Sequence, residues 1–218
     1  TSPLDPASCP PPLRRLRVAE TPESLRPLPA IPRPADNPLT LDEDDSPLSL
    51  EASVGTLVHR ILELIAKNGL ENWSTAKVQT LQPTWQNWLQ QRGHTPEDAR
   101  AGSQEAVQAL STTLESETGR WLLSPHDQSA AEQAWTSRDG DFAVNNIIDR
   151  VFIANGVRWS VDYKTVRAGV EELPLRAEGF RPQLERYAGL FAGEGLPVKM
   201  AVWFGLQGRL VELVSDSA

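Results

Sequence analysis

Asn146-Ile147-Ile148-Asp149-Arg150-Val151-Phe152-Ile153-Ala154-Asn155-Gly156-Val157-Arg158-Trp159-Ser160-Val161-Asp162-Tyr163-Lys164-Thr165 is the stretch that decides the fold. Asn155 and Gly156 both tolerate positive φ, which a two-residue type I′ turn between antiparallel strands requires. Counting outward from the turn, Ala154 faces Val157, Phe152 faces Trp159 and Asp149 falls opposite Asp162, with Lys164 two residues further along the same face. Directly opposed side chains have Cβ atoms about 5 Å apart, and two carboxylates there repel by roughly 3 kcal/mol at an effective dielectric of about 20. A hard divalent cation shared by both acids relieves that repulsion, and Lys164 is then placed to hold or activate a water. A plainer arrangement fits the same geometry: a solvated pair of acids with Lys164 as ion-pair partner.

An acid on one strand followed by Asp162-Tyr163-Lys164 on the next resembles the PD-(D/E)XK nuclease superfamily, and Val161-Asp162-Tyr163-Lys164-Thr165 resembles its RecB-type branch. Other landmarks of that branch follow in order. Gly55-Thr56-Leu57-Val58-His59-Arg60-Ile61-Leu62-Glu63 is similar to the helix that brings a histidine to the metal. Ala131-Glu132-Gln133-Ala134-Trp135 stands where the family often has a glutamate on the strand before the hairpin. Phe180-Arg181-Pro182-Gln183-Leu184-Glu185-Arg186-Tyr187 is similar to its Gln-x-x-x-Tyr helix. The resemblance covers roughly residues 50 to 215. Three residues before the first acid the family usually has glycine. Here Asn146 stands there, a residue that also tolerates left-handed or bulged backbone, and a bulge at Asn145-Asn146 would leave Asp149 and Asp162 facing each other.

The resemblance implies a metal-dependent DNA nuclease. Asp149, Asp162, His59 and the Tyr163 carbonyl would ligate magnesium or manganese, nitrogen ligation suiting manganese at least as well. Lys164 would position or deprotonate the attacking water, a divalent cation beside it favouring its neutral form. Gln183 would orient Lys164 or a DNA phosphate, with Glu132, Tyr187, Arg150 and Arg186 as supporting or DNA-binding residues. In RecB and AddA proteins such a domain follows a long linker at the C-terminal end of a helicase that processes broken DNA ends. The expected partners are therefore DNA, a helicase domain in the same parent chain and a subunit of a RecBCD- or AddAB-like complex. A Thr1 start and a single methionine, Met200, agree with a fragment of something larger.

Composition sets bounds on this reading. The 218 residues are 39% hydrophobic and 23% charged, as in an ordinary soluble chain, and no apolar run reaches membrane-spanning length. A lone Cys9 cannot form an internal disulfide, which points to a reducing cytoplasm, and it excludes the four-cysteine iron-sulfur cluster of some RecB-like nucleases. The net charge of −8 is awkward for phosphate binding, but Arg150, Arg158, Lys164, Arg167, Arg176, Arg181 and Arg186 flank the hairpin. Local basicity would suit a module delivered to DNA by a tethered motor. No Walker-type phosphate loop is present, so ATP hydrolysis is not expected.

Residues 1–50 hold 12 of the 18 prolines and read as an extended leader, with Leu13 to Ala19 either an edge strand or disordered. From Ser53, Leu57, Val58, Ile61, Leu62 and Ile65 mark one helix face, which Asn68-Gly69 should end. A histidine beside such a face is more often packed than ligating, so the role of His59 rests on the resemblance. Residues 70–125 read as a helical insertion, with Thr95-Pro96-Glu97-Asp98 as a helix start and Trp73, Trp85, Trp88 and Trp121 as bundle core rather than base-stacking platforms. Within residues 131–214 the expected elements are strands at 131–137, 141–154 and 157–165, a helix at 180–192, and strands at 198–204 and 209–214 turned by Gln207-Gly208. The fold class is α/β: a mixed sheet flanked by helices, the restriction-endonuclease-like core, over residues 51–218. Three other readings fit the residues: a catalytically silent docking module, a stand-alone RecB-like exonuclease, and a helical protein with an incidental hairpin.

Overall fold

The computed structural model describes residues 49–139 and 142–214. The leader up to Pro47 and Leu48, Cys9 and the Leu13–Ala19 segment lie outside them. Ser49 opens the described chain as the N-cap of α1 (Leu50–Asn68), its hydroxyl accepting from the Ala52 amide. Gly69 ends that helix at φ 90, its N–H returning to the Ile65 carbonyl, as Asn68-Gly69 predicts.

Three further helices follow: α2 (Thr75–Gln91), α3 (Pro96–Glu115) and α4 (Glu117–Leu123). Thr95 caps α3 by accepting from the Asp98 amide at 3.1 Å, with Pro96 in the first turn. Trp85 is buried in this layer, and Trp73, Trp88 and Trp121 pack half-buried against it. The tryptophans therefore build a helical core, as their spacing predicts.

The sheet comprises β1 (Asp127–Asp139), β2 (Phe142–Ala154), β3 (Val157–Lys164), β4 (Val198–Phe204) and β5 (Arg209–Leu213), in that spatial order. Only β3 and β4 are parallel among these neighbours. Asn155 and Gly156 carry φ 52 and 74, and Ala154–Val157 and Phe152–Trp159 pair as the turn dictates. On one face Phe152, Trp159, Val161, Tyr163, Ala201 and Trp203 pack against α1 to α4. Trp203 donates to Thr113 Oγ1 of α3 at 3.1 Å, fixing the helical layer to the sheet centre. The other face is covered by α6 (Arg181–Gly189) and by α5 (Leu173–Glu178), a helix that the sequence pattern does not predict. The result is a mixed five-stranded sheet with helices on both sides.

The ladder departs from expectation at two places. Pairing of β1 with β2 runs without a break through Asn145 and Asn146, so no bulge forms there. The irregularity is on β1 instead, where the register shifts between Asp127 and Ala130, and Gln128 and Glu132 carry φ 46 and 50. The second departure is on the hairpin. Its ladder ends at Arg150–Val161, one pair short of the two acids.

Candidate metal centre

Where the β2–β3 ladder stops, the Tyr163 N–H is taken by Asp149 Oδ2 at 2.7 Å. The carboxylate thus stands in for a strand carbonyl, and the hairpin opens at this end. Asp149 Oδ1 lies 3.3 Å from His59 Nδ1, and Glu132 Oε1 is 3.8 Å from the same nitrogen. His59 Nε2 lies 2.8 Å from the Tyr163 carbonyl. Both ring nitrogens face acceptors, which only the imidazolium can satisfy. Burial alone would depress the His59 pKa, but the charge and hydrogen bond of Asp149 outweigh it and push it up to about 9. Asp149, although burial opposes ionisation, is held below its ordinary range by His59, the Tyr163 amide and Lys164.

Helix α1 delivers His59 because its buried stripe, Val54 to Ile65, lies on the sheet and leaves position 59 beside the opened end of β3. Glu132 lies between the pairs Ala131–Arg150 and Gln133–Ile148, and so comes opposite Asp149. Its left-handed backbone is strain in a strand, of the kind that persists where the surroundings hold it. Burial and the Asp149 charge push its carboxyl up to about 7. One donor atom each from His59, Glu132 and Asp149 falls within 4.8 Å of the others.

Asp162 stands outside that group of three. Its Oδ1 accepts from Gln183 Nε2 at 3.1 Å. Its Oδ2 lies 2.8 Å from Lys164 Nζ, an ion pair whose angle leaves this buried oxygen without an aligned hydrogen bond. Burial and the Asp149 charge push the Asp162 carboxyl up to about 6. The repulsion expected of the opposed acids is thus met by a separate cation for each, His59 for Asp149 and Lys164 for Asp162. Lys164 also lies 4.5 Å from the Phe180 ring.

Several supporting residues are placed differently from expectation. Gln183 contacts Asp162 rather than Lys164, and also donates to Tyr187 Oη at 2.7 Å. Tyr187 is buried and donates onward to the Ile147 carbonyl at 2.8 Å, so it anchors α6 to β2. The Tyr163 side chain packs in the helical-layer core, its ring edge-on to His59, and presents only its carbonyl to the site. Arg150, expected as a supporting or DNA-binding residue, is buried and donates to the Leu122 and Ser124 carbonyls at 2.9 and 2.8 Å. It ties α4 to the sheet because position 150 faces the helical layer. Arg186 bonds the Pro182 carbonyl of its own helix. The arginine collar is largely neutralised as well, Arg158 by Glu194, Arg167 by Glu105, Arg176 by Glu172 and Arg181 by Glu178.

The profile of the PD-(D/E)XK nuclease superfamily matches residues 36–212. The chain belongs to this superfamily. A comparison with curated proteins found no significant match. Asp149, Asp162 and Lys164, on adjoining strands, lie together at the opened end of the hairpin. The donor set also suits a hard divalent cation. Three acidic side chains crowd one buried end of the sheet, two of them with carboxyls raised by burial and by the Asp149 charge, and Asp162 Oδ2 lacks an aligned partner. No helix among the described residues is long and apolar enough to cross a membrane.

Proposed function

We propose that this domain hydrolyses DNA phosphodiester bonds with magnesium or manganese, as the nuclease part of a RecB/AddA-type helicase-nuclease that processes double-strand breaks in the cytoplasm. The observation that carries the proposal is the convergence of His59, Glu132 and Asp149 beside the Asp162–Lys164 pair. Asp149 and Glu132 would hold the cation with His59, and Asp162 would complete the acidic ring from the next strand. A divalent cation there supplies Lewis-acid polarisation of a phosphoryl oxygen and a water more easily deprotonated.

The residues divide the remaining work. Lys164 Nζ, held by Asp162 and the Phe180 face, is placed to position an attacking water or to stabilise charge on the attacked phosphate. Gln183, steadied by Tyr187, keeps Asp162 turned toward Lys164. His59 must lose its proton to offer a nitrogen to the cation, so ligation and deprotonation are coupled. The paired-off arginines leave little free positive charge for capturing DNA unaided, which supports delivery of the strand by an attached motor.

The test is degradation of linear single- and double-stranded DNA by the purified chain with manganese or magnesium. Asp162→Ala and Lys164→Ala should each lower the rate on the order of a hundredfold or more. Full activity in Asp162→Ala would overturn the assignment.

A further inference from the structure

Beside the acidic cluster a cleft of about 480 Å³ runs between the C-terminal half of α1 and the start of β1. It exists because β1 is crimped. Gln128 and Glu132, both left-handed, bracket Ser129-Ala130-Ala131, and the register shift against β2 falls in the same place. Ser129, Ala130 and Ala131 line the floor of the cleft, while Ala66 and Lys67 of α1 form the facing wall. Two cationic residues line the cleft: Arg150, held in place by the α4 carbonyls, and Lys67, which is more than half exposed and paired to Glu63. Glu132 belongs both to the cleft and to the metal-site group, so the cleft opens directly onto the proposed chemistry.

We infer that this cleft seats one nucleotide of a single-stranded polynucleotide next to the scissile bond, with its phosphate toward Lys67 and its sugar and base over Ser129-Ala130-Ala131. The inference rests on the nuclease reading and adds a strand path and a substrate form to it. A volume of this size suits a small ligand, and a base locked in a duplex stack cannot enter it without being extruded. Strained backbone in a non-glycine strand residue costs stability, and its occurrence at both ends of the floor suits a device that shapes a binding surface. Small side chains along the floor let the strand approach the backbone closely, as a sequence-tolerant groove needs.

The test is fluorescence anisotropy with a labelled oligothymidylate over a range of salt concentrations, with calcium replacing the catalytic metal. Two variants are compared with the unaltered chain. Ser129→Trp fills the cleft from an exposed position, and Lys67→Gln removes one cation from an exposed ion pair of little structural value. Ser129→Trp should weaken single-strand binding by about tenfold and leave binding of a blunt duplex of the same length unchanged. Lys67→Gln should lower the slope of log affinity against log salt by about 0.7, the loss of one phosphate contact. Hydrolysis of bis-p-nitrophenyl phosphate with manganese, which needs no neighbouring nucleotide, should stay the same in both. Unaltered single-strand affinity and salt slope in both variants, with hydrolysis intact, would overturn the inference and leave the nuclease reading standing. Weakened strand binding in a chain that cleaves nothing would support the cleft and remove the nuclease reading.

Discussion

His59 stands at the centre of the acidic cluster: its two nitrogens address Asp149, Glu132 and the Tyr163 carbonyl, and its charge offsets the acids around it. Without metal, the fold should therefore depend on pH with a definite sign. The His59 pKa rises from 6.5 to about 9 on folding, so its contribution to stability is complete below pH 6.5 and is lost as pH climbs through about 9. Asp162 and Glu132, raised to about 6 and about 7, act in the same direction at lower pH, their contributions fading as they ionise in the folded state. Asp149 acts oppositely, its depressed pKa giving stability that is lost only as pH falls below the ordinary carboxylate range. Thermal unfolding of the metal-free chain should show a melting temperature that falls from pH 6 to pH 9. Asp149→Asn should flatten the upper part of that decline, and a flat profile for the unaltered chain would contradict the arrangement. Excess manganese should reverse the trend, stabilising more at pH 8.5 than at pH 6.5, because protons and metal compete for the same atoms.

At the scale of elements, the hairpin carries most of what the sequence makes legible. Two residues that tolerate positive φ set the turn, the turn sets the register, and the register brings Asp149 and Asp162 to the same end of adjoining strands. The opening of that end could not be read, because it depends on a side chain, Asp149, capturing an amide two strand positions beyond the last ladder pair. The crimp of β1 was equally hidden. Neither Gln128 nor Glu132 is a residue type that announces left-handed backbone. Arg150 shows the limit of reading charge from a linear list, since alternation places it toward the helical layer, where two carbonyls await it. Arg150→Ala should cost about 3 kcal/mol, because it orphans those carbonyls and opens a void, and chemical denaturation would measure it. At temperatures where the variant remains folded, its phosphodiesterase turnover should be retained. The helical layer should be as sensitive: Trp85→Ala should lose about 3–5 kcal/mol, measured in the same way, for a buried ring at the α2–α3 core.

Across the whole molecule, the helical layer holds α1 against the sheet so that His59 meets two strands, and the opposite layer holds α6 so that Gln183 meets Asp162. The site is therefore a junction of both layers at one end of the sheet, which explains why residues from 59 to 183 take part in it. A net charge of −8 with most flanking arginines already paired argues for weak capture of free DNA. Nuclease activity on free ends should accordingly fall by about tenfold or more between 50 and 200 mM salt if only a few phosphates are contacted. Calorimetric titration of manganese into the metal-free chain at pH 6.5 and pH 8.5 tests the central claim most directly. The account predicts saturable binding that is tighter at the higher pH and is lost in Asp149→Asn; no binding by the unaltered chain at either pH would contradict it.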